Sequence, residues 1–174
     1  MQILIDEPTL RARVAELGAA IRRDVGRGAP IHMVAALKGA FVFLADLMRA
    51  TDGPVTCDFL RVSSYGNGTT STGPVRLRGG LNQPFDGRDV VIVEDIVDTG
   101  HTLAAVQAMV RERAARSVRT VCLLDKPSRR VVDVPVDYVG FTIPDRFVVG
   151  YGLDFNEQHR NLPYIGVIDA GEGA

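Results

Sequence analysis

The sequence predicts an α/β fold in which a mostly parallel sheet is flanked by helices. Residues 90–93 are four consecutive β-branched residues, and a strand with one exposed face would instead alternate with polar residues. Apolar residues at helical spacing from Leu10 to Val25 predict an amphipathic helix. A second apolar strand at residues 30–37 runs into an apolar helix at 40–48. Together these patterns favour strands buried between helices.

Length and charge limit the classes of function. A chain of 174 residues favours one domain, residues 1–174, with a single core. Its hydrophobic content of 46% and mean hydropathy of +0.09 fit a compact globular protein. The net charge of −1 provides no general field that would attract nucleic acid or an acidic membrane. We therefore expect neither as a partner, and any anion site must be local.

The start of the chain and the cysteines predict a cytoplasmic protein. The first eight residues contain no basic segment followed by a long apolar run, and no later stretch is long enough to span a membrane. Cys57 and Cys122 both lie in predicted strands, and two cysteines do not make a disulfide framework. We expect both to be free thiols.

A glycine-rich segment separates two predicted strands. Residues 55–62 have the pattern of a strand, and strand-like residues resume at 75–77. Between them, residues 64–74 contain three glycines and almost nothing to bury. Alone, such a segment is typical of a loose loop. Its alternatives are a simple hairpin tip and a mobile lid over a binding site.

The chemistry is expected where the strand at 90–93 ends. Glu94 and Asp95 follow it, and residues 98–102 have the composition of a turn that leads into a helix. Small residues there let backbone N–H groups converge on an anion, and two threonine hydroxyls add donors. The two carboxylates would repel a bare phosphate. They suit a ligand with hydroxyls or Mg²⁺ at one end and a phosphate at the other, such as a ribose 5-phosphate.

The nonapeptide at 94–102, EDIVDTGHT, resembles the phosphoribosyl pyrophosphate (PRPP) motif of the type I phosphoribosyltransferases. From Lys38 to Arg160 the chain is similar to hypoxanthine-guanine phosphoribosyltransferases in their short bacterial form. The resemblance implies the type I fold, with a small hood from the terminal segments and a flexible lid at about 64–74. It also implies Mg²⁺-dependent transfer of 5-phosphoribosyl from PRPP to N9 of hypoxanthine or guanine, giving IMP or GMP and pyrophosphate.

The same resemblance assigns residues to PRPP. The pyrophosphate-binding residues would be Lys38, Gly39 and Arg160, and the peptide at this lysine is often cis in the family. The ribose and the 5′-phosphate would be bound by the motif, namely Glu94, Asp95, Asp98, Thr99, Gly100, His101 and Thr102. The magnesium-binding carboxylates would be Glu94, Asp95 and Asp154, and the lid signature is matched by Ser64 and Tyr65. Two positions depart from the family: the position of His101 is variable, and Arg146 replaces a frequent lysine.

Lys126, Phe147, Val148 and Asp154 are implied to bind the purine. Lys126 would donate to the 6-oxo group and discriminate against adenine, since a buried donor left unpaired is costly. Phe147 would stack on the base, the Val148 backbone would read its edge, and Asp154 would lie near the 2-position of guanine or a second Mg²⁺. Asp98 is the candidate catalytic acid or base at purine N7. Its alternative role is to cap the following helix.

Other functions remain open at this point. A regulatory protein of the same fold would sense PRPP or a purine, and a relative that prefers xanthine would share the 6-oxo contact. A flavodoxin-like phosphate-binding domain would not need Lys38, Lys126 and Arg160 together. Family members usually associate, so we expect a homodimer or homotetramer. The sequence does not rank hypoxanthine against guanine.

Overall fold

A six-stranded sheet lies at the centre of the protein. The structure is a computed structural model that describes residues 1–64, 75–78, 81 and 84–168. Its elements, in chain order, are β1 (Gln2–Ile5), α1 (Glu7–Val25), β2 (Ile31–Leu37), α2 (Phe41–Ala50), β3 (Val55–Ser64), β4 (Val75–Arg78), β5 (Asp89–Val97), α3 (His101–Arg111), β6 (Ser117–Asp125), a short 3-10 helix (Pro127–Arg129), β7 (Tyr138–Thr142), β8 (Val148–Val149) and β9 (Ile165–Val167).

The strand order of the central sheet is β4-β3-β2-β5-β6-β7. Strands β3, β2, β5, β6 and β7 are parallel to their neighbours. Only β4, at one edge of the sheet, is antiparallel, and it pairs with β3. The predicted mostly parallel sheet is therefore confirmed, with β5 in its interior.

Different helices cover the two faces of this sheet. Helices α1 and α2 pack against one face in the same cluster as Val91 and Val93. Helix α3 covers the other face, where its apolar residues join Val90 and Ile92. Successive side chains of a strand point to opposite faces. Because both faces of β5 are buried, all four positions favour β-branched residues, as the sequence pattern predicts.

The terminal segments form a second sheet of three strands in the order β1-β9-β8. Both of its strand pairs are antiparallel. This sheet is built from the segments that the resemblance assigns to the hood. Ser64, of the predicted lid signature, is the last residue of β3. Tyr65 and the rest of the predicted lid, residues 65–74, lie outside the described residues.

Both cysteines are free thiols, as predicted. Cys57 is half-buried in β3, and Cys122 is buried in β6. Burial raises the pKa of the Cys122 thiol to about 12. Within the described part of the chain, no helix has the length and apolar character needed to cross a membrane.

Candidate active site

A cleft of about 280 Å³ opens at the carboxyl-terminal ends of β2 and β5. Strand β2 leads through α2 to β3, whereas β5 leads through α3 to β6 on the other side. In open α/β sheets, ligands bind where the connections diverge in this way. The cleft is lined from the β2 side by Ala36, Leu37 and Gly39, and from the β5 side by Glu94, Asp95, Ile96, Val97, Asp98, Thr99, Gly100, Thr102 and Leu103.

The turn between β5 and α3 has the shape that the sequence predicts. Gly100 has φ +91°, and a Cβ there would lie 2.6 Å from the Val132 carbonyl oxygen, so glycine is required. The first hydrogen bond of α3 runs from Ala104 N to Gly100 O (2.9 Å). The backbone amides before Ala104 in the first turn of the helix therefore have no acceptor within the helix. Such amides suit a phosphate. His101, the exposed first residue of α3, is not among the residues lining the cleft.

Glu94 and Asp95 form a pair of acids at the floor of the cleft, of which Glu94 is buried and Asp95 is half-buried. Glu94 is 4% exposed, and its Oε1 has no hydrogen-bond partner among the described residues. Burial, together with the charge of Asp95, raises the pKa of Glu94 well above its ordinary value. Burial also raises the pKa of Asp95 to about 6, although Ile96 N donates to its Oδ1 (2.9 Å) and Arg160 opposes the rise. The pair therefore favours a cation.

Two loops meet at the Asp95 carboxylate. The Leu37–Lys38 peptide is cis, as the family pattern implies for this lysine. A Cβ added to Gly39 would overlap the carboxylate of Asp95, so no other residue fits there without displacing that acid. Gly152 has φ +103°, and its Cβ would overlap the carbonyl oxygen of Gly39. Glycine at these two positions lets the loops approach each other and the acid.

A network of ion pairs connects the residues assigned to pyrophosphate. Lys38 Nζ lies 2.8 Å from Glu157 Oε2. Arg160 Nη2 lies 2.8 Å from Asp154 Oδ1 and 3.5 Å from Glu157 Oε1. Arg160 Nη1 also donates to the carbonyl oxygen of Gly152 (2.8 Å). The structure thus brings the two predicted cations together, although they are far apart in the sequence, and Glu157 joins them.

A second network lies beside the turn, at the end of β6. Lys126 is 7% exposed, and its backbone N donates to Val97 O (3.0 Å). Its Nζ is 3.8 Å from Asp145 Oδ1. Arg129 Nε donates to Asp98 Oδ1 (2.8 Å), and its Nη1 is 3.6 Å from Asp145 Oδ2. The Asp98 carboxylate thus accepts from Arg129, and α3 has Gly100 as its N-cap, without a side-chain cap hydrogen bond.

Two of the predicted purine-binding residues lie in the next segment of the chain. Phe147 is 45% exposed, and its ring meets the Phe155 ring edge to face at a centroid distance of 5.5 Å. Val148 is buried in β8, where it pairs with β9. Neither lines the cleft at β5. Asp145, two residues before Phe147, lies 3.8 Å from Lys126 Nζ.

The acids of the cleft fit a metal that takes only part of its shell from protein. No group of three or more His, Cys, Asp or Glu able to hold a metal occurs among the residues that the structure describes. Mg²⁺ usually takes one or two carboxylates and completes its octahedron with water and substrate oxygens. The unpaired buried oxygen of Glu94 and the raised pKa of Asp95 show that a cation would be favoured at this pair.

Three residues of these networks were not predicted from the sequence: Glu157, Arg129 and Asp145. Each is a charged residue in a polar loop, which is also what an ordinary surface residue looks like. The one available signal was their spacing from predicted site residues. Glu157 precedes Arg160 by one helical turn's length, and Arg129 follows Lys126 by three positions. Spacing of that kind is too common to single them out.

Comparison with known proteins identifies the family. A model of the phosphoribosyl transferase domain matches residues 2–156. The hypoxanthine-guanine phosphoribosyltransferase of Bacillus subtilis is 47% identical over 167 residues, which cover 96% of this chain and 92% of that protein. A bifunctional TilS/HprT protein of Listeria monocytogenes is 46% identical over 167 residues, covering 96% of this chain, but the match spans only 26% of its own length.

The fold agrees with the sequence matches. A crystal structure of a hypoxanthine phosphoribosyltransferase from Staphylococcus aureus has a TM-score of 0.91 and 43% identity, covering 97% of this chain and 91% of that chain. This likeness confirms the predicted type I fold. The chain therefore belongs to the phosphoribosyltransferase family, and the similarity to its hypoxanthine-guanine members that the residues from Lys38 to Arg160 predict is confirmed.

Proposed function

We propose that this protein transfers the 5-phosphoribosyl group of PRPP to N9 of hypoxanthine or guanine, forming IMP or GMP and pyrophosphate with Mg²⁺. The observation that carries the proposal is the cleft at β5. There an acidic pair, an amide-rich turn and a glycine loop converge, with Lys126 beside the turn. These groups match the parts of PRPP and a 6-oxopurine. The names of the relatives support the same reaction.

The first requirement is to stabilise the leaving group, pyrophosphate, because its departure produces an oxocarbenium-like sugar. Lys38 and Arg160 would bind the pyrophosphate, where their charge stabilises it as it leaves. Because Gly39 has no side chain, its backbone can lie close to the Asp95 carboxylate. From there its N–H would be able to donate to the pyrophosphate. Bound Mg²⁺ would neutralise part of the pyrophosphate charge and orient its oxygens. Glu94 and Asp95 would bind it or the ribose hydroxyls, with Asp154 as a further carboxylate.

The phosphate and the lid complete the PRPP site. The 5′-phosphate would accept hydrogen bonds from the amides of the turn and from the hydroxyls of Thr99 and Thr102, which line the cleft. His101 would take part through its backbone N–H rather than through its exposed side chain. The lid, with Ser64 and Tyr65 at its start, would close over the sugar and exclude water, which otherwise captures the cation.

Proton transfer at the base is assigned to Asp98. Its carboxylate lies in the cleft, and Arg129 fixes its orientation through the 2.8 Å contact. It would exchange a proton with purine N7 while N9 attacks the sugar. Lys126 would donate to the 6-oxo group, Phe147 would stack on the ring, and the Val148 backbone would bind its edge. Because Lys126 is buried, adenine would be rejected: its 6-amino group cannot accept the hydrogen bond that Lys126 would donate to a 6-oxo group.

The test is nucleotide formation by the purified protein from PRPP and Mg²⁺, with hypoxanthine, guanine, xanthine and adenine offered separately. We expect turnover of hypoxanthine or guanine and little with adenine. Asp98→Asn should lower kcat by about 100- to 10,000-fold, the usual contribution of a general acid or base. Asp133→Asn, which changes an exposed aspartate, is the matched control and should retain activity.

The other outcomes distinguish the alternatives. Preferential turnover of xanthine would identify a xanthine-directed enzyme, since Lys126 reads a group that xanthine shares. Binding of PRPP without turnover of any base would exclude the proposed enzyme and favour a regulatory protein that senses PRPP. We further expect the protein to be cytoplasmic. We also expect a homodimer or homotetramer, and sedimentation of the purified protein would test this oligomeric state.

A further inference from the structure

Glu157 lies in a tight turn whose backbone fixes its direction. Phe155 and Gln158 exchange backbone hydrogen bonds of 3.2 and 3.0 Å across two central residues. Both central residues, Asn156 (φ +50°) and Glu157 (φ +64°), are left-handed. In this kind of turn the second position strongly favours glycine. A glutamate there is unfavourable for the backbone, which suggests that its side chain has a function.

The side chain of Glu157 contacts the two cations that we assign to pyrophosphate. Its Oε2 is 2.8 Å from Lys38 Nζ, and its Oε1 is 3.5 Å from Arg160 Nη2. Its own amide donates to Asp154 Oδ2 (2.9 Å), and Asp154 in turn pairs with Arg160. The turn therefore places the Glu157 carboxylate where the pyrophosphate group of the proposed substrate would bind.

We propose that Glu157 is an internal counter-ion, which occupies Lys38 and Arg160 in the free enzyme and is displaced by the pyrophosphate group of PRPP. The inference rests on the proposed function of those two cations. Each phosphate oxygen that binds Lys38 replaces an oxygen of Glu157, so part of the binding free energy is used to break the existing pairs. The same competition favours release of pyrophosphate after the reaction. Glu157 thus lowers the affinity of the site for its anionic ligand by competing with that ligand for the two cations.

The test compares Glu157→Gln with the wild-type protein in pyrophosphate binding, measured by calorimetry with Mg²⁺ present. An exposed ion pair contributes only modestly, so we expect pyrophosphate to bind about two- to fivefold more tightly to the variant. The KM for PRPP should fall by a similar factor, and the KM for hypoxanthine should stay the same. The gain should shrink at high salt, because the ion pairs that it removes are screened.

Glu16→Gln is the matched control. Glu16 is as exposed as Glu157, 64% against 65%, and also forms a close ion pair, with Arg13 Nη1 at 2.6 Å on α1. Both substitutions change the net charge by the same amount. If Glu16→Gln improved pyrophosphate binding equally, the effect would be one of net charge, and the inference would be wrong. Glu157→Ala should act in the same direction as Glu157→Gln, because the turn's hydrogen bonds join the backbones of Phe155 and Gln158, and residue 157 contributes only its amide, to Asp154.

The binding assay separates this inference from the proposed function. If the wild type turns over hypoxanthine but Glu157→Gln binds pyrophosphate with unchanged or weaker affinity, only the counter-ion role is refuted. Weaker binding would mean that Glu157 instead holds Lys38 and Arg160 in place for the substrate. If no base is turned over, the proposed function fails, while the pyrophosphate affinities of the two proteins still decide the role of Glu157. A thermal melt of each variant establishes that it is folded.

Discussion

Replacing Asp95 by asparagine should make the protein more stable at neutral pH while removing a residue of the proposed site. Burial raises the pKa of Asp95 from its ordinary 3.8 to about 6. Each tenfold change in acidity corresponds to about 1.4 kcal/mol, so the ionised form costs the folded state about 3 kcal/mol. Because Glu94 shares the burial and competes for the same proton, we expect about 2 kcal/mol to be recovered in Asp95→Asn.

The pH dependence of this effect has a definite sign. A carboxyl group whose pKa is higher in the folded state than in the unfolded state favours folding only while it is protonated. The penalty on Asp95 is therefore absent well below pH 3.8, grows as the pH rises towards 6, and is complete above that value. The difference in unfolding free energy between Asp95→Asn and wild type should be largest at pH 8. At pH 4.5 it should fall to about 1 kcal/mol or less.

Urea denaturation at both pH values measures this difference, with thermal melts as a second readout. For a chain of this size, about 2 kcal/mol corresponds to a rise in Tm of about 4–8 °C at pH 8. Asp133→Asn, at an exposed position, should leave the unfolding free energy unchanged at both pH values. A loss of stability in Asp95→Asn at pH 8 would refute the reasoning. It would mean that Arg160 and the amide of Ile96 stabilise the ionised carboxylate by more than its burial costs.

Two further predictions concern Gly39 and Lys126, the residue proposed to bind the 6-oxo group of the purine. In Gly39→Ala the new Cβ would displace the carboxylate of Asp95. Because a misplacement of about 1 Å costs on the order of 100-fold, we expect kcat/KM for PRPP to fall by about that factor. An unchanged kcat/KM, with an unchanged circular dichroism spectrum, would contradict this close approach. In Lys126→Gln, loss of a buried charged hydrogen bond should lower kcat/KM for hypoxanthine by about ten- to a hundredfold. The low rate with adenine should not fall in parallel, so equal losses with both bases would argue against contact with the 6-oxo group.

The parts of the fold that were predictable depend on local pattern. The four consecutive β-branched residues at 90–93 in β5 indicate burial on both faces by themselves, and the helix from Leu10 to Val25 shows its inner face through spacing alone. The acids and the turn at 98–102 follow β5 directly, so their position at the sheet edge depends only on where that strand ends. Such features are encoded within a few residues, and the structure has them where the sequence predicts.

The parts that were not predictable depend on contacts between distant residues. Lys38 and Glu157 are 119 positions apart, and Arg129 is 31 positions from Asp98. No local pattern indicates that Glu157 would face two cations, because an exposed glutamate in a polar loop is ordinary. The left-handed conformation of Glu157 is visible only once the backbone is known. The family resemblance implies roles for Lys38 and Arg160. It implies no role for Glu157, whose carboxylate contacts both of these cations.

The charges of the unliganded site are arranged in opposition to those of the proposed substrate. Burial raises the pKa of both Glu94 and Asp95, and the charge of Asp95 adds to the rise at Glu94, so this pair of acids favours a cation. Lys38 and Arg160 are instead neutralised by acids of the loop at 154–157. PRPP alone would meet the first pair with repulsion, and a metal alone would leave the second pair as it is. Under the proposed function, a complex of PRPP with Mg²⁺ would satisfy both pairs at once, and we therefore expect the site to bind this complex in preference to either component.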